Sequence, residues 1–458
     1  MFKWSTNNII DATGGTDVNG YNWIHSSNIS TDTRSIKKGD LFIALKGKNF
    51  DGHNFLHEAF LKGAVTAIVS EGKYKDFPLI IVQDTLKALH DMASYYIRNV
   101  LVDAKVIAIT GSVGKTTTKD MLHTVLSQYG VSHANEGNLN NNIGLPLTIL
   151  KAPKNCQYLI LEMGMNKVGE IKELSKISNP NIAVITNIEP AHTENFSSLF
   201  DVAQAKLEIL YGTKNNGTLV LNRDNKYYDY LSSHANKNVI SFGKDKNAEV
   251  CLLDIIRNDD GLNLKIRLSN NQTINCNLRV QGEHFAYSLL AVAAVVQSLG
   301  LDLSKLPLAL KNFSVTKGRG NIHKVKYNKK YIHLIDDSYN ASPVSMKTAI
   351  KTLSTYSNQR KVALLGDMLE LGDESIEFHT DLVKTVTGNN IDKVYTVGKF
   401  MLELHELLPD NIRGAHFNDS NQLKSDLANI IQNNDAILVK GSRGMKMDLI
   451  VREFIIEY

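Results

Sequence analysis

Three cysteines in 458 residues, Cys156, Cys251 and Cys276, stand far apart and form no Cys-x-x-Cys pair or Cys/His cluster. That scatter excludes a disulfide framework and a thiolate metal site of ordinary spacing, and it fits a reducing compartment. Proline is scarce as well, at eight residues, while Asn, Lys and Ile abound; the bias reflects genome composition and carries no mechanism. No stretch approaches the roughly 20 apolar residues of a membrane span. The opening MFKWSTNNIIDATGG has neither the apolar run nor the small-residue cleavage site of a signal peptide. The expectation is a soluble, cytoplasmic protein without stable membrane association. An excess of one charge is missing too, with 51 basic against 47 acidic residues, which argues against a nucleic-acid binder with a strongly basic face.

What is present is a globular mixture, 43% hydrophobic and 21% charged, long enough for two or three domains of about 100 to 200 residues each. From residue 40 the chain reads as strand LFIAL, helix HNFLHEAFLKG, and strands TAIVS and LIIVQ. A helix from Thr85 to about Val100 leads into VIAIT, a β-branched run typical of a buried parallel strand. Strands and helices then alternate: VIAIT, a helix from Lys115, YLILEMG, a helix over Ile171 to Ile177, IAVITNI, a helix from Ser197 to Tyr211, and TLVLN. Such alternation predicts a doubly wound α/β sheet with ligands at the carboxyl ends of its strands. Between Glu249 and Val280 the pattern changes to antiparallel hairpins turning at Asp260-Gly261 and Asn270-Asn271. The apolar helix SLLAVAAVVQSLG follows, and after KGRGN a third α/β series begins, with strands YIHLIDD, KVALLG, KVYTVG and AILVKG. No 20 to 50 residue repeat is visible.

The strongest local signal is VIAITGSVGKTTTKDML. Gly111 and Gly114, with Ser112 and Val113 between them, permit a tight turn whose N–H groups face phosphate oxygens at the positive end of the next helix. Lys115 is placed to neutralise phosphate charge, and Thr116 or Thr117 to offer a hydroxyl to Mg²⁺. The loop is shortened, because Ile109 stands where the usual motif has its first Gly. A solvated Gly/Thr turn is the plain alternative, but strand before and helix behind supply the context that phosphate binding needs.

The remaining candidates are individually weaker. Glu162 leaves a buried strand where a hard cation needs oxygen ligands, although a strand-end Glu is as often solvated. His192 follows a strand, and a lone His is usually structural. Lys206 in DVAQAKLEIL reads by spacing as a surface lysine. Asn138, Asn140, Asn141 and Asn142 suit either a polar ligand or a plain loop. Asp336 and Asp337 suit a helix cap, while Arg319, Lys440 and Arg443 together suit a phosphate or carboxylate.

Taken in order, TDTRSIKKGDLFIALKGKNFDGHNF, TGSVGKTTTK, NLNNNIGLP, LEMGMN, TNIEPAH, QAKLEIL, KGRGN, DDSYNASP, LLGDMLELG and VKGSRG resemble the Mur ligase family over nearly the whole chain. The resemblance implies an α/β protein of three domains: residues 1–84 for a UDP-sugar, 85–313 as a P-loop ATPase-like domain, and 314–458 as a Rossmann-like domain closing over ATP. It implies a monomer that uses ATP and Mg²⁺ to join a carboxylate to an amine through an acyl phosphate. DDSYNASP and GDMLELG resemble the branch whose substrates are the UDP-N-acetylmuramoyl-tripeptide of peptidoglycan synthesis and D-alanyl-D-alanine. Residue by residue, it makes Lys115 the phosphate-loop lysine, Thr116 and Glu162 the Mg²⁺ side, and His192 the ligand of a second Mg²⁺. It makes Lys206 the lysine that becomes carbamylated, Arg319 the γ-phosphate arginine, Asp337 the acid at the ribose, and Asn340 part of the nucleotide loop. Thr33, Arg34, Gly47, Lys48 and Asn49 fall in the UDP-sugar segments, with Asn138, Lys440 and Arg443 as further substrate contacts.

One departure stands out: the family often reads G-x-H-N-x-x-N where this chain has GEHFAYS, so Phe285 and Ser288 replace two asparagines, and an aromatic ring is left to stack on adenine. The rival readings are the ligase that adds the third amino acid, disfavoured because no DNPR-like string occurs, and folate polyglutamylation, disfavoured by the N-terminal TDTRSIKKGDLFIALKG. A P-loop ATPase switch that forms no bond is the alternative of a different class.

Overall fold

A computed structural model of the chain describes residues 2–18, 25–26, 28–47, 49–72, 76–190, 195–258 and 261–456. Among these residues the strands form three sheets, of five, nine and six strands.

In the first sheet Ile29–Ser30, Leu41–Ile43, Thr66–Val69 and Leu79–Ile81 run parallel, and Thr16–Val18 closes the edge antiparallel. The expected helix at 53–63 splits into a 3₁₀ turn, Gly52–Phe55, and the helix Leu56–Leu61. Asp51 capping the His53 N–H sets that first turn.

The central sheet is built on Lys105–Thr110, which lies between Tyr158–Glu162 and Ile182–Ile185, all parallel. Both faces are covered, which is why these strands are unbroken apolar runs. Beyond Thr218–Asn222 and Asn238–Gly243 the sheet continues into Val250–Asn258, Gly261–Arg267 and Thr273–Leu278, the last three antiparallel. The hairpin segment is thus an extension of this sheet. Its alternation, seen in Thr273–Leu278, reflects one wet face and one face packed in the apolar cluster with Leu306, Ala309 and Leu310. Asp260 lies outside the described residues, and Asn271 takes the left-handed conformation, φ 62°, that its turn requires.

In the C-terminal sheet Lys330–Asp337, Asp435–Lys440, Arg360–Gly366 and Lys393–Val397 are parallel neighbours. Two edge strands escape the sequence pattern. Asn321–Tyr327 is basic and buries only Val325 and Tyr327, and Arg413–Phe417 has no β-branched residue.

Apolar side chains gather in clusters on the sheet faces. One cluster runs without a break from Leu41, Ile43 and Ile80 of the first sheet, through Leu89 and Met92 of the helix Thr85–Asn99, to Leu145 and Leu159 of the central region. The C-terminal sheet keeps two clusters of its own. Between it and the central sheet lies a cleft of about 1560 Å³.

Candidate active site

The floor of the cleft is the loop between Lys105–Thr110 and the helix Lys115–Leu126. Gly111 has φ 150°, and a Cβ there would meet Thr186 Oγ1 at 1.9 Å. Gly114 sits at φ 82° where the helix begins, a conformation cheap only for glycine. Thr186 closes the loop from the next strand by donating to Val113 O at 2.6 Å, and Ser112 Oγ accepts the Glu189 N–H at 3.0 Å. Ser112 through Thr118 all line the cleft. The Lys115 amine donates to Gly111 O at 2.7 Å and Ser112 O at 3.2 Å. Burial in the cleft wall holds that amine below its ordinary value, with Glu162 opposing the shift and Arg319 adding to it.

Glu162, at the carboxyl end of its strand and 3% exposed, accepts Thr116 Oγ1 on one oxygen at 2.8 Å and Asn140 Nδ2 on the other at 2.8 Å. This is a hard-oxygen donor set of one carboxylate and one hydroxyl, and among the described residues no group of three His, Cys, Asp or Glu makes a complete metal cage. Mg²⁺ fits such a set, because it keeps waters and borrows phosphate oxygens around one or two carboxylates.

Lys206 overturns the surface reading. It lies on the helix Leu199–Leu207, is 4% exposed, and lines the cleft. Among the described residues it has neither ion-pair nor hydrogen-bond partner, and burial, with Lys115 adding, holds its amine well below the ordinary lysine value. His192, its expected companion, lies outside the described residues, as does Lys48.

The facing wall comes from the C-terminal sheet. Parallel register sets Asp337 opposite Lys440, and the Lys440 amine donates to Asp337 Oδ2 at 2.7 Å and to Asn340 O at 2.9 Å. Burial pushes the Asp337 carboxyl up against the pull of Lys440 and Arg319. Arg319 lies over the Tyr339 ring at 4.2 Å, and Arg443 approaches the same ring at 5.7 Å. The capping reading of Asp336 and Asp337 is corrected: Ser342 caps the helix Pro343–Ser354, and Asp336 instead accepts from Gly318 N and Ser338.

The stacking reading of Phe285 is corrected as well. Its ring is fully buried in the cluster under the central sheet, whereas His284, Tyr287 and Ser288 face the cleft. Surrounding protein holds His284 down to about 4, Lys440 contributing, so its imidazole is neutral. Asn138 lines the cleft, but Asn140 is the amide that holds Glu162. The NLNNNIGLP string pointed to the loop without selecting the member.

The described UDP-sugar candidates lie in turns and loops that follow strands of the N-terminal sheet, and none of them lines this cleft. Thr33 is buried with its carbonyl on Lys62 at 3.2 Å. Arg34 is exposed and ion-paired to Asp32 at 2.6 Å, an interaction that pulls the Asp32 carboxyl to about 2. Gly47 N donates to Phe50 O at 2.9 Å, and Asn49 is exposed beside it.

A shortened phosphate loop, a carboxylate beside it, a buried lysine and a facing α/β wall with an arginine define an ATP-using ligase architecture. Three family models match: "Mur ligase family, catalytic domain" over residues 25–107, "Mur ligase middle domain" over 109–296, and "Mur ligase, glutamate ligase domain" over 318–443. The chain belongs to the Mur ligase family.

Within that family it is similar to the UDP-N-acetylmuramoyl-tripeptide--D-alanyl-D-alanine ligase of Buchnera aphidicola subsp. Baizongia pistaciae, 39% identical over 95% of this chain and 93% of that one. MurF from Acinetobacter baumannii superimposes with a TM-score of 0.92 at 30% identity, covering 100% of this chain and 99% of the other. MurF from Thermotoga maritima, solved in complex with ADP, gives 0.83 at 28% identity, covering 94% and 98%.

Proposed function

We propose that this chain joins D-alanyl-D-alanine to the terminal carboxylate of UDP-N-acetylmuramoyl-tripeptide at the expense of ATP, in the cytoplasm and as a monomer. The observation that carries the chemistry is Lys206, a buried lysine without a partner among the described residues, in a cleft that also holds Lys115, Glu162 and Arg319. The shared cleft also supports the domain reading, in which residues 85–313 and 314–458 each contribute one wall.

ATP enters with its phosphates on the loop from Gly111 to Thr117, where backbone N–H groups and Lys115 offset their charge. Thr116 and Glu162 would hold Mg²⁺, which supplies neutralisation of the β and γ oxygens. Arg319 adds a guanidinium from the opposite wall, where it lies over the Tyr339 ring. Asp337 and Asn340 stand where the ribose and base reach the C-terminal sheet.

The tripeptide carboxylate attacks the γ-phosphorus, forming a C–O–P link as the bond to ADP breaks. The free amine of D-alanyl-D-alanine then adds to the acyl carbon, loses a proton, and expels inorganic phosphate. No step needs a protein nucleophile; the work is positioning and charge stabilisation.

A neutral amine is the form that combines with CO₂, with loss of one proton, to give a carbamate. Burial, with Lys115 adding, holds the Lys206 amine well below its ordinary value and so favours that form, which supports its place as a carboxylate-like group that would pair with His192 on a second Mg²⁺. Thr33, Arg34, Gly47, Lys48 and Asn49 are assigned to the UDP-sugar, with Asn138, Lys440 and Arg443 at the peptide end.

Phosphate release tests the reading. It should require both the UDP-sugar tripeptide and D-alanyl-D-alanine, with a product heavier by the dipeptide less water; release indifferent to either substrate favours the ATPase switch. Lys206→Ala should be inactive and partly restored by short carboxylic acids, and full activity without them would remove the carbamate from the mechanism.

A further inference from the structure

Lys119 lies one turn beyond Lys115 on the helix Lys115–Leu126, is 3% exposed, and takes no part in the chemistry above. Burying a lysine is costly unless its amine is paired, and the two partners of this one lead toward the site from opposite sides. On one side the amine donates to Asn135 O at 2.7 Å. Asn135 grips the strand end at Glu162: its Oδ1 accepts the Glu162 N–H at 2.6 Å and its Nδ2 donates to Glu162 O at 3.3 Å. On the other side the amine is 3.0 Å from Asp120 Oδ1. Asp120 accepts a hydrogen bond from Thr316 Oγ1, and Thr316 O accepts the Arg319 N–H at 3.2 Å. Thr316 belongs to the segment by which the chain passes from the central to the C-terminal sheet.

We propose that Lys119 is a positioning residue that ties the Arg319 loop to the Glu162 strand end, fixing guanidinium and carboxylate relative to one another across the cleft. The inference rests on the ligase reading for the meaning of those two groups. It touches no reacting atom; it acts through Asn135 on one side and through Asp120 and Thr316 on the other. A contact of this kind keeps opposing walls in a productive relation, where displacement by about an ångström costs up to about a hundredfold in rate.

Lys119→Met keeps the length and apolar stem and removes the amine. In the full chain it should lower kcat about thirtyfold and raise the Mg²⁺ requirement about tenfold, leaving the KM for the UDP-sugar tripeptide within about twofold. Thr316→Val should lower kcat about fivefold, Thr316→Ser should restore it, and the double variant should lose no more than Lys119→Met alone. Parent kinetics in Lys119→Met, or losses that multiply in the double variant, would overturn the relay. Should Lys119→Met fail to fold, the Thr316→Val and Asp120→Asn cycle decides in its place, with non-additive losses for the relay and additive losses against it. Binding of a non-hydrolysable ATP analogue with Mg²⁺ reads the relay without any ligation: affinity about tenfold weaker in Thr316→Val or Lys119→Met supports it, and unchanged affinity in both sinks it. A parent chain that binds nucleotide but makes no amide would count against the ligase reading alone.

Discussion

Where the first sheet meets the central one, the helix Thr85–Asn99 buries Leu89, Met92 and Ala93 in a single apolar cluster with Ile43 on one side and Ile149 on the other. Where the central sheet meets the C-terminal one, the facing side chains are Lys115, Glu162, His284, Arg319, Asp337 and Asn340, and each sheet keeps its own core. The first junction is held by area removed from water, which is non-directional and fixes geometry once formed. The second exposes groups whose partners are ligands, so it is where closure and chemistry belong. Substitutions at the two junctions should therefore fail differently: stability at the first, turnover at the second.

The largest separation should come from Lys115→Ala. Removing the cation from the phosphate loop should lower turnover about a thousandfold while the thermal midpoint stays at the parent value; near-normal turnover would break the contrast at its strongest point. At the other junction Leu89→Ala, in a fully buried site, should cost about 2 to 5 kcal/mol in chemical denaturation with kcat retained by the folded fraction. A loss of kcat without loss of stability would show that the apolar junction is not merely a weld. Phe285→Leu sharpens the comparison within the central domain. Because the ring belongs to the core, it should lower stability by about 1 kcal/mol and leave the KM for ATP unchanged.

A smaller effect is expected from pH. Burial holds His123, His133, His284, His379, His405 and His416 below the ordinary histidine value. His379 shows why: Nε2 accepts the Met368 N–H at 2.9 Å and Nδ1 donates to Ser375 O at 2.6 Å, an arrangement only the neutral ring can make. Below about pH 6.5 the unfolded chain takes up protons that the folded chain refuses. Stability should thus be complete above that value and decline as pH falls through it. Asp337 and Glu189, whose carboxyls are held above their ordinary values, act in the opposite sense, adding stability as pH falls through their raised values. Denaturant midpoints at about pH 7.5 and about pH 5.5 check the sign, and equal midpoints would contradict it.

The sequence showed the central sheet and the phosphate loop clearly, because both are local patterns: unbroken apolar runs, two glycines, and a lysine opening a helix. Lys206 was bland by spacing and gained its meaning only from the family resemblance, since its burial comes from elements far away in the chain. The asparagine string marked its loop but did not select Asn140, and Asn135 and Lys119 had no local signal at all; these residues acquire roles only through contacts that lead to Glu162 and, by way of Asp120, to Thr316. Phe285 misled for a related reason. Its place in the motif suggested the cleft, while its apolar ring belongs with the core beneath the sheet. The edge strands Asn321–Tyr327 and Arg413–Phe417 went unseen because an edge needs little hydrophobic alternation.

Oxygen transfer from the substrate carboxylate tests the central claim most directly. With the terminal carboxylate of the UDP-sugar tripeptide labelled by ¹⁸O, turnover with ATP and D-alanyl-D-alanine should deliver one labelled oxygen into the released phosphate. That is the mark of an acyl phosphate broken by the amine. Unlabelled phosphate released alongside amide product would mean that ATP is cleaved by water and that the carboxylate is not activated as proposed.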